Sequence, residues 1–177
     1  IYVPDNPDLV YLVVIDHISL LRPNKGRSLK EEIDLVSSYL VTLRNMCRIS
    51  PLVIMQANRD SAGMERRKQG LNNMRLSDTK DSGGPVQDAE IVISIFSPHR
   101  ERLATYNKYN IGILQDKFRA ITVLKNRYGE ADVEVGVNFF GRCGIWKELP
   151  KPDEIYDYER YTSPNYILEM SDDTKIT

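Results

Sequence analysis

"YLVVIDHISLL", residues 11–21, sets the fold class, because five apolar or aromatic residues run straight into Asp16 and the chain then turns polar. A run without polar alternation is the pattern of a strand covered on both faces, as in a parallel sheet. The strand is predicted over Leu9–Ile15, with Asp16 just past its carboxyl end. In α/β sheets ligands sit beyond those ends. A buried carboxylate there is costly unless it is paired or faces a metal. A strand-end aspartate can serve a nucleotide-bound cation, or simply cap a loop. His17 is adjacent, but no second histidine or cysteine lies near it, so it reads as structural rather than as a metal ligand.

Downstream, Arg22–Arg27 holds Pro, Asn and Gly and reads as a loop. "SLKE" (Ser28–Glu31) fits a capping box, and Leu29, Ile33, Val36, Leu40, Leu43 and Cys47 follow at helical spacing on one face. Ser50-Pro51 ends that helix. Leu52–Met55 is a second short apolar strand ending at Gln56. Strand, helix, strand over this span predicts a right-handed βαβ unit. Ala57–Ser77 is long, polar and basic around "ERRKQG". Loops of that length are functional or disordered. Glu90–Phe96 reads as a third strand, Ser97–Gly112 as a surface connection, and Arg119–Lys125 with Asp132–Val137 as a β-hairpin around "NRYGE". "GIWKELP" adds a last short strand.

Bulk properties are those of an ordinary globular chain: 177 residues, 41% hydrophobic, 28% charged, net charge −1. Residues 151–177 carry three Lys/Arg against seven Asp/Glu, which leaves a mildly basic body. That balance permits a nucleic-acid partner without requiring one. Residues 1–150 therefore form the predicted body, and 151–177 an acidic, tyrosine-containing tail that is either disordered or docked. The two cysteines fit a reduced, cytosolic protein. No apolar run approaches the ~20 residues that span a bilayer. The chain begins at Ile1 rather than Met, which points to a piece of something longer.

Four places can carry chemistry. Asp16 and Gln56 occupy matching strand ends, where a carboxylate suits a metal and an amide can donate to a phosphate oxygen. Arg59, Arg66, Arg67 and Lys68 supply charge that tracks a phosphate backbone or merely solvates a loop. "LSDTKDSGGPVQDAEIVISIF" (residues 76–96) combines Lys80, Asp81 and Gly83 with a strand entry, an order no generic turn needs. Lys125 and Arg127 sit two apart at the hairpin mouth, so both side chains point the same way and suit phosphate charge.

In order, these segments resemble the C-terminal motor domain of DnaB-like replicative helicases, of RecA-like fold. "LVVIDHISLL" looks like that family's Walker B strand. "PLVIMQANRD" is similar to its next strand, and "LSDTKDSGGPVQDAEIVI" to its R-E-S-G-x-I-E-Q-D-A-D segment. "VLKNRYG" looks like its K-x-R-x-G finger. The resemblance spans residues 9–150. It implies an α/β fold, a mostly parallel RecA-like P-loop sheet with a C-terminal β-hairpin, and a parent that is an ATP-dependent helicase. By position, Asp16 would bind the hydration shell of Mg²⁺, and Gln56 would sense the γ-phosphate of ATP. Lys125 and Arg127 would enter a neighbouring subunit's ATP site within a homo-hexamer. Lys80, Asp81 and Gly83 would face single-stranded DNA. Lys80 and Asp81 stand where the family has Arg and Glu, and lysine lacks the guanidinium fork. The resemblance further implies a cytoplasmic protein of a bacterial or phage replication system, with a primase or helicase loader as further partners.

The chain departs from the pattern in one large respect. No G-x-x-x-x-G-K-[ST] occurs; "RPNKGRS" has Lys-Gly and follows the wrong strand. The phosphate loop and its strand are expected upstream of Ile1, so the RecA-like sheet should be incomplete and the isolated chain inactive as an ATPase. In the family that strand lies between those at Leu52–Met55 and Glu90–Phe96. Here the two either close up or leave unpaired backbone groups. Two alternatives stay open: another RecA-like ATPase (a recombinase or KaiC-like protein), and a non-catalytic nucleic-acid-binding or assembly module.

Overall fold

A computed structural model describes residues 6, 8–56, 75–76, 83–163 and 165–168. The chain divides into two compact units, the first reaching to Val92 and the second running from Ile93 onward. Strands fall into three sheets.

The first unit is a βαβ unit, as its sequence predicts. Strand β1 (Tyr11–Ile15) leads through a 3-10 turn at Ile18–Leu20 and the loop to helix α1 (Leu29–Cys47), and strand β2 (Ile49–Val53) returns parallel to β1. The helix starts where its capping box says: Ser28 Oγ accepts from the Glu31 N–H at 3.3 Å, and Glu31 Oε2 accepts from the Ser28 N–H at 2.7 Å. It stops at Arg48, whose backbone is left-handed (φ 53°). The register is Tyr11 opposite Ile49 through Ile15 opposite Val53. Glu32, only 8% exposed, ties the preceding loop to the helix by accepting from Asn24 Nδ2 at 2.9 Å and pairing with Arg27 at 3.5 Å.

Helix α2 (Gly83–Asp88) packs on α1 through polar contacts. The Gly84 N–H donates to Asp34 Oδ1 at 2.9 Å, Ser37 Oγ donates to Asp88 at 2.7 Å, and Arg44 pairs with Glu90 at 3.0 Å. A Cβ on Gly84 would lie 2.6 Å from Asp34 Oδ1, so the absent side chain is used for helix–helix approach.

One expectation fails here. The apolar run of β1 is not covered on both faces: Leu12, Val13 and Val14 are 60%, 39% and 53% exposed. Nor do the strands on either side of the expected phosphate-loop strand close up. β2 belongs to the two-stranded sheet, and β3 (Ile91–Phe96) heads a separate four-stranded one in the order β3-β6-β7-β8. Ile91, Ile93 and Ile95, alternate residues on one face of β3, are 51%, 57% and 59% exposed.

The second unit holds the main core. Strands β6 (Phe118–Asn126), β7 (Val133–Phe140) and β8 (Ile145–Glu148) form an antiparallel meander. Between β3 and β6 comes the stretch read as a surface connection, and that reading is corrected. It folds into a two-stranded hairpin, β4 (Thr105–Tyr106) and β5 (Tyr109–Asn110), followed by the short helix α3 (Ile111–Leu114). Tyr106, Tyr109, Ile111 and Leu114 are all buried, clustered with Phe118, Ala120, Leu149 and Ile155. The tyrosine rings tilt against Phe118 at centroid distances of 6.1 and 4.8 Å. The described part of the acidic tail contributes too. It forms α4 (Tyr158–Thr162), capped by Asp157, and α5 (Asn165–Leu168), and it buries Ile155 and Tyr166.

Candidate functional site

Asp16 and Gln56 lie at neighbouring strand ends of the first unit. The parallel ladder continues past both strands: the Ile54 N–H donates to the Ile15 carbonyl at 2.9 Å, and the Ile18 N–H donates to the Ile54 carbonyl at 3.1 Å. Asp16 and His17 therefore span the gap between two ladder bonds, joined by a cis peptide. Ile18, fully buried, pins the chain behind them. Gln56 follows Ile54 by two residues at the same end of the sheet. Both Asp16 and Gln56 are exposed. His17 is half-buried, with Nδ1 shielded and without a hydrogen-bond partner among the described residues.

Asp16 forms no side-chain hydrogen bond or ion pair with another described residue. A lone exposed carboxylate of this kind fits Mg²⁺ held through water, because Mg²⁺ keeps several waters and takes one or two carboxylates plus substrate phosphates. No group of three or more His, Cys, Asp or Glu side chains that could cage a metal occurs among the described residues. The donor set suits a cation that arrives with a nucleotide.

The second unit presents Lys125 and Arg127. Lys125 is half-buried near the end of β6, and Arg127 is exposed immediately beyond it. They share the sheet face of Ile121 and Val123, as the period of two predicts. The hairpin is rooted in the core by Glu134, opposite Thr122 in the register. Its carboxylate accepts from Tyr106 Oη at 2.8 Å, Thr122 Oγ1 at 2.7 Å and Asn107 Nδ2 at 2.5 Å. Burial first, and then the Glu134 carboxylate, push the Tyr106 phenol well above its usual range. Nothing in the local sequence marked Glu134. Only the fold brings residues 106, 122 and 134 together.

Arg59, Arg66, Arg67, Lys68, Lys80 and Asp81 lie outside the described residues. Gly83 opens α2. In the segment around it, Gly84, Asp88 and Glu90 all bond to α1, so part of this stretch serves packing within its unit.

The family model described as "DnaB-like helicase C terminal domain" matches residues 5–147. Among solved structures, the chain is similar to the ATPase domain of another helicase, with a TM-score of 0.64 and 21% identity over 82% of this chain and 46% of that one. The likeness shows a RecA-like fold, and the chain spans about half the length of the structure it matches. No curated protein matches.

Proposed function

The chain belongs to the family of DnaB-like helicase C-terminal domains, and from that premise we propose that it is the C-terminal part of the motor of an ATP-dependent replicative helicase. The parent works as a homo-hexamer on single-stranded DNA in the cytoplasm. Residues 1–150 belong to the motor, and 151–177 form an appended tail. The observation that carries the reading is the pairing of Asp16 with Gln56 at adjacent parallel strand ends, together with a hairpin that puts Lys125 and Arg127 on one face.

In the proposed mechanism Asp16 orients the water shell of Mg²⁺, and Gln56 donates its amide to the γ-phosphate. When bound, the cation neutralises phosphate charge. Lys125 and Arg127 act on the nucleotide of the next subunit, where two preorganised cations stabilise the charge that develops in phosphoryl transfer. Lys80, Asp81 and Gly83 contact DNA, helped by Arg59, Arg66, Arg67 and Lys68. A primase or loader completes the assembly. Among the described residues no helix is long and apolar enough to cross a membrane.

The test uses the isolated 177 residues and the complete parent side by side. The isolated chain shows no ATP turnover. In the parent, Asp16→Asn and Arg127→Ala each lower kcat by about 10²-fold or more. ATP hydrolysis by the isolated chain that Asp16→Asn abolishes would overturn the proposal.

A further inference from the structure

Between the two cations stands Asn126, whose side chain no sequence pattern marks. Its Oδ1 accepts from the Tyr128 N–H at 3.0 Å, and its Nδ2 donates to the Glu130 carbonyl at 3.3 Å. One amide thus spans the hairpin tip from the end of β6 to Glu130. Gly129 fits inside that span: a Cβ there would lie 3.1 Å from Asn126 Nδ2. The Asp132 N–H closes the turn by donating to the Val123 carbonyl at 2.7 Å. Lys125 and Arg127 are the residues on either side of the clamping one, so the period of two puts Asn126 on the opposite face from both.

We propose that Asn126 is a positioning residue for the finger, holding residues 127–130 in one turn so that Arg127 meets a neighbouring subunit's nucleotide in register with Lys125. The inference rests on the reading of Lys125 and Arg127 as trans-acting cations. Its physical basis is economy of motion. Arg127 lies one residue beyond the strand, where the β6–β7 ladder no longer fixes its backbone. A cation that must meet a developing charge loses effect when its backbone samples several positions, and misplacement by about 1 Å costs up to about 10²-fold in rate. Asn126 replaces the missing ladder bonds with two side-chain bonds. Both go to backbone groups, so they act on the turn without touching either cation. A glutamine at 126 has the same amide one methylene further out and cannot make both bonds from the same backbone.

The experiment uses the complete parent protein with ATP. Asn126→Ala lowers kcat about 10-fold and leaves KM for ATP within about two-fold, because a cation that acts only in the transition state is lost from kcat. Arg127→Ala lowers kcat further, and adding Asn126→Ala to it brings no additional loss, since two residues acting through one group are not additive. An Asn126→Ala protein with native kcat, beside an Arg127→Ala protein that is impaired, overturns the clamp and leaves the finger standing. Losses that multiply in the double variant also overturn it, because Asn126 then acts elsewhere. If Arg127→Ala itself leaves kcat unchanged, the finger reading falls and the clamp falls with it. Where Asn126→Ala fails to assemble, Asn126→Asp keeps the acceptor for the Tyr128 N–H and enters the same comparison.

Discussion

Tyr109 shows how much a single buried side chain can commit the second unit. Its ring lies 4.8 Å from that of Phe118, and its hydroxyl donates to the Pro150 carbonyl at 3.0 Å. Burial, more than the surrounding Tyr158 and glutamates, pushes its phenol up to about 12. An unfolded tyrosine ionises near about 10. Between those values the unfolded chain has lost the proton that the folded chain still holds, so stability must fall as pH rises. The contribution is complete below about pH 10 and is lost progressively towards about pH 12. Urea midpoints measured across that window should decline, and Tyr109→Phe should make the decline shallower. A midpoint independent of pH in this range would contradict the burial of this hydroxyl. At the same scale, Asp16, Gln56, Lys125 and Arg127 were legible because strand ends and strand parity place them. Asn126 and Glu134 were not, because a polar side chain bonding to its own turn or to a distant hydroxyl leaves no periodic trace in a sequence.

At the scale of elements, the hairpin and the βαβ unit were written in the chain and the core hairpin was not. The β6–β7 pair announces itself by alternating residues around a glycine turn. "TYNKYNIG" (residues 105–112) has two tyrosines three apart among polar residues, a spacing that fits neither a strand nor a helix. Burial there is decided by Phe118 and Gly136 across the sheet. Gly136 makes this concrete: a Cβ would sit 2.8 Å from Tyr109 Cζ and 2.9 Å from Phe118 Cε2. Neither ring can move without displacing the cluster around it. Gly136→Ala should therefore cost about 1–3 kcal/mol, the usual penalty for forcing extra volume into a packed core. An unchanged denaturation midpoint would mean that the rings have room which the packing denies them.

For the whole molecule, the apolar strands are more exposed than a finished sheet allows. Leu12 and Val14 in β1 and the three alternate isoleucines of β3 are each at least half exposed. Two strand faces of that kind, with open edges beside them, are templates for association. The isolated chain should self-associate at micromolar concentration and bind a hydrophobic dye. Ile93→Lys with Ile95→Lys should reduce both, as read by sedimentation velocity and fluorescence. A monomeric, dye-silent wild-type chain would refute this. The sequence declared these strands to be interior ones through their unbroken hydrophobicity. What it left unsaid is whether this chain supplies everything that covers them.

The clustered buried apolar side chains all belong to the second unit, from Tyr106 to Ile155. In the first unit, much of what holds α1 in place is polar. Cooperative opening follows buried apolar contact, so amides of the β6–β7 ladder should exchange last and those around β1 and α2 early. The hairpin that carries Lys125 and Arg127 then grows from the slow-opening part of the chain, while Asp16 and Gln56 sit on the fast-opening part. Across a ring of such subunits, each firm pointer would face a receiver that yields more readily.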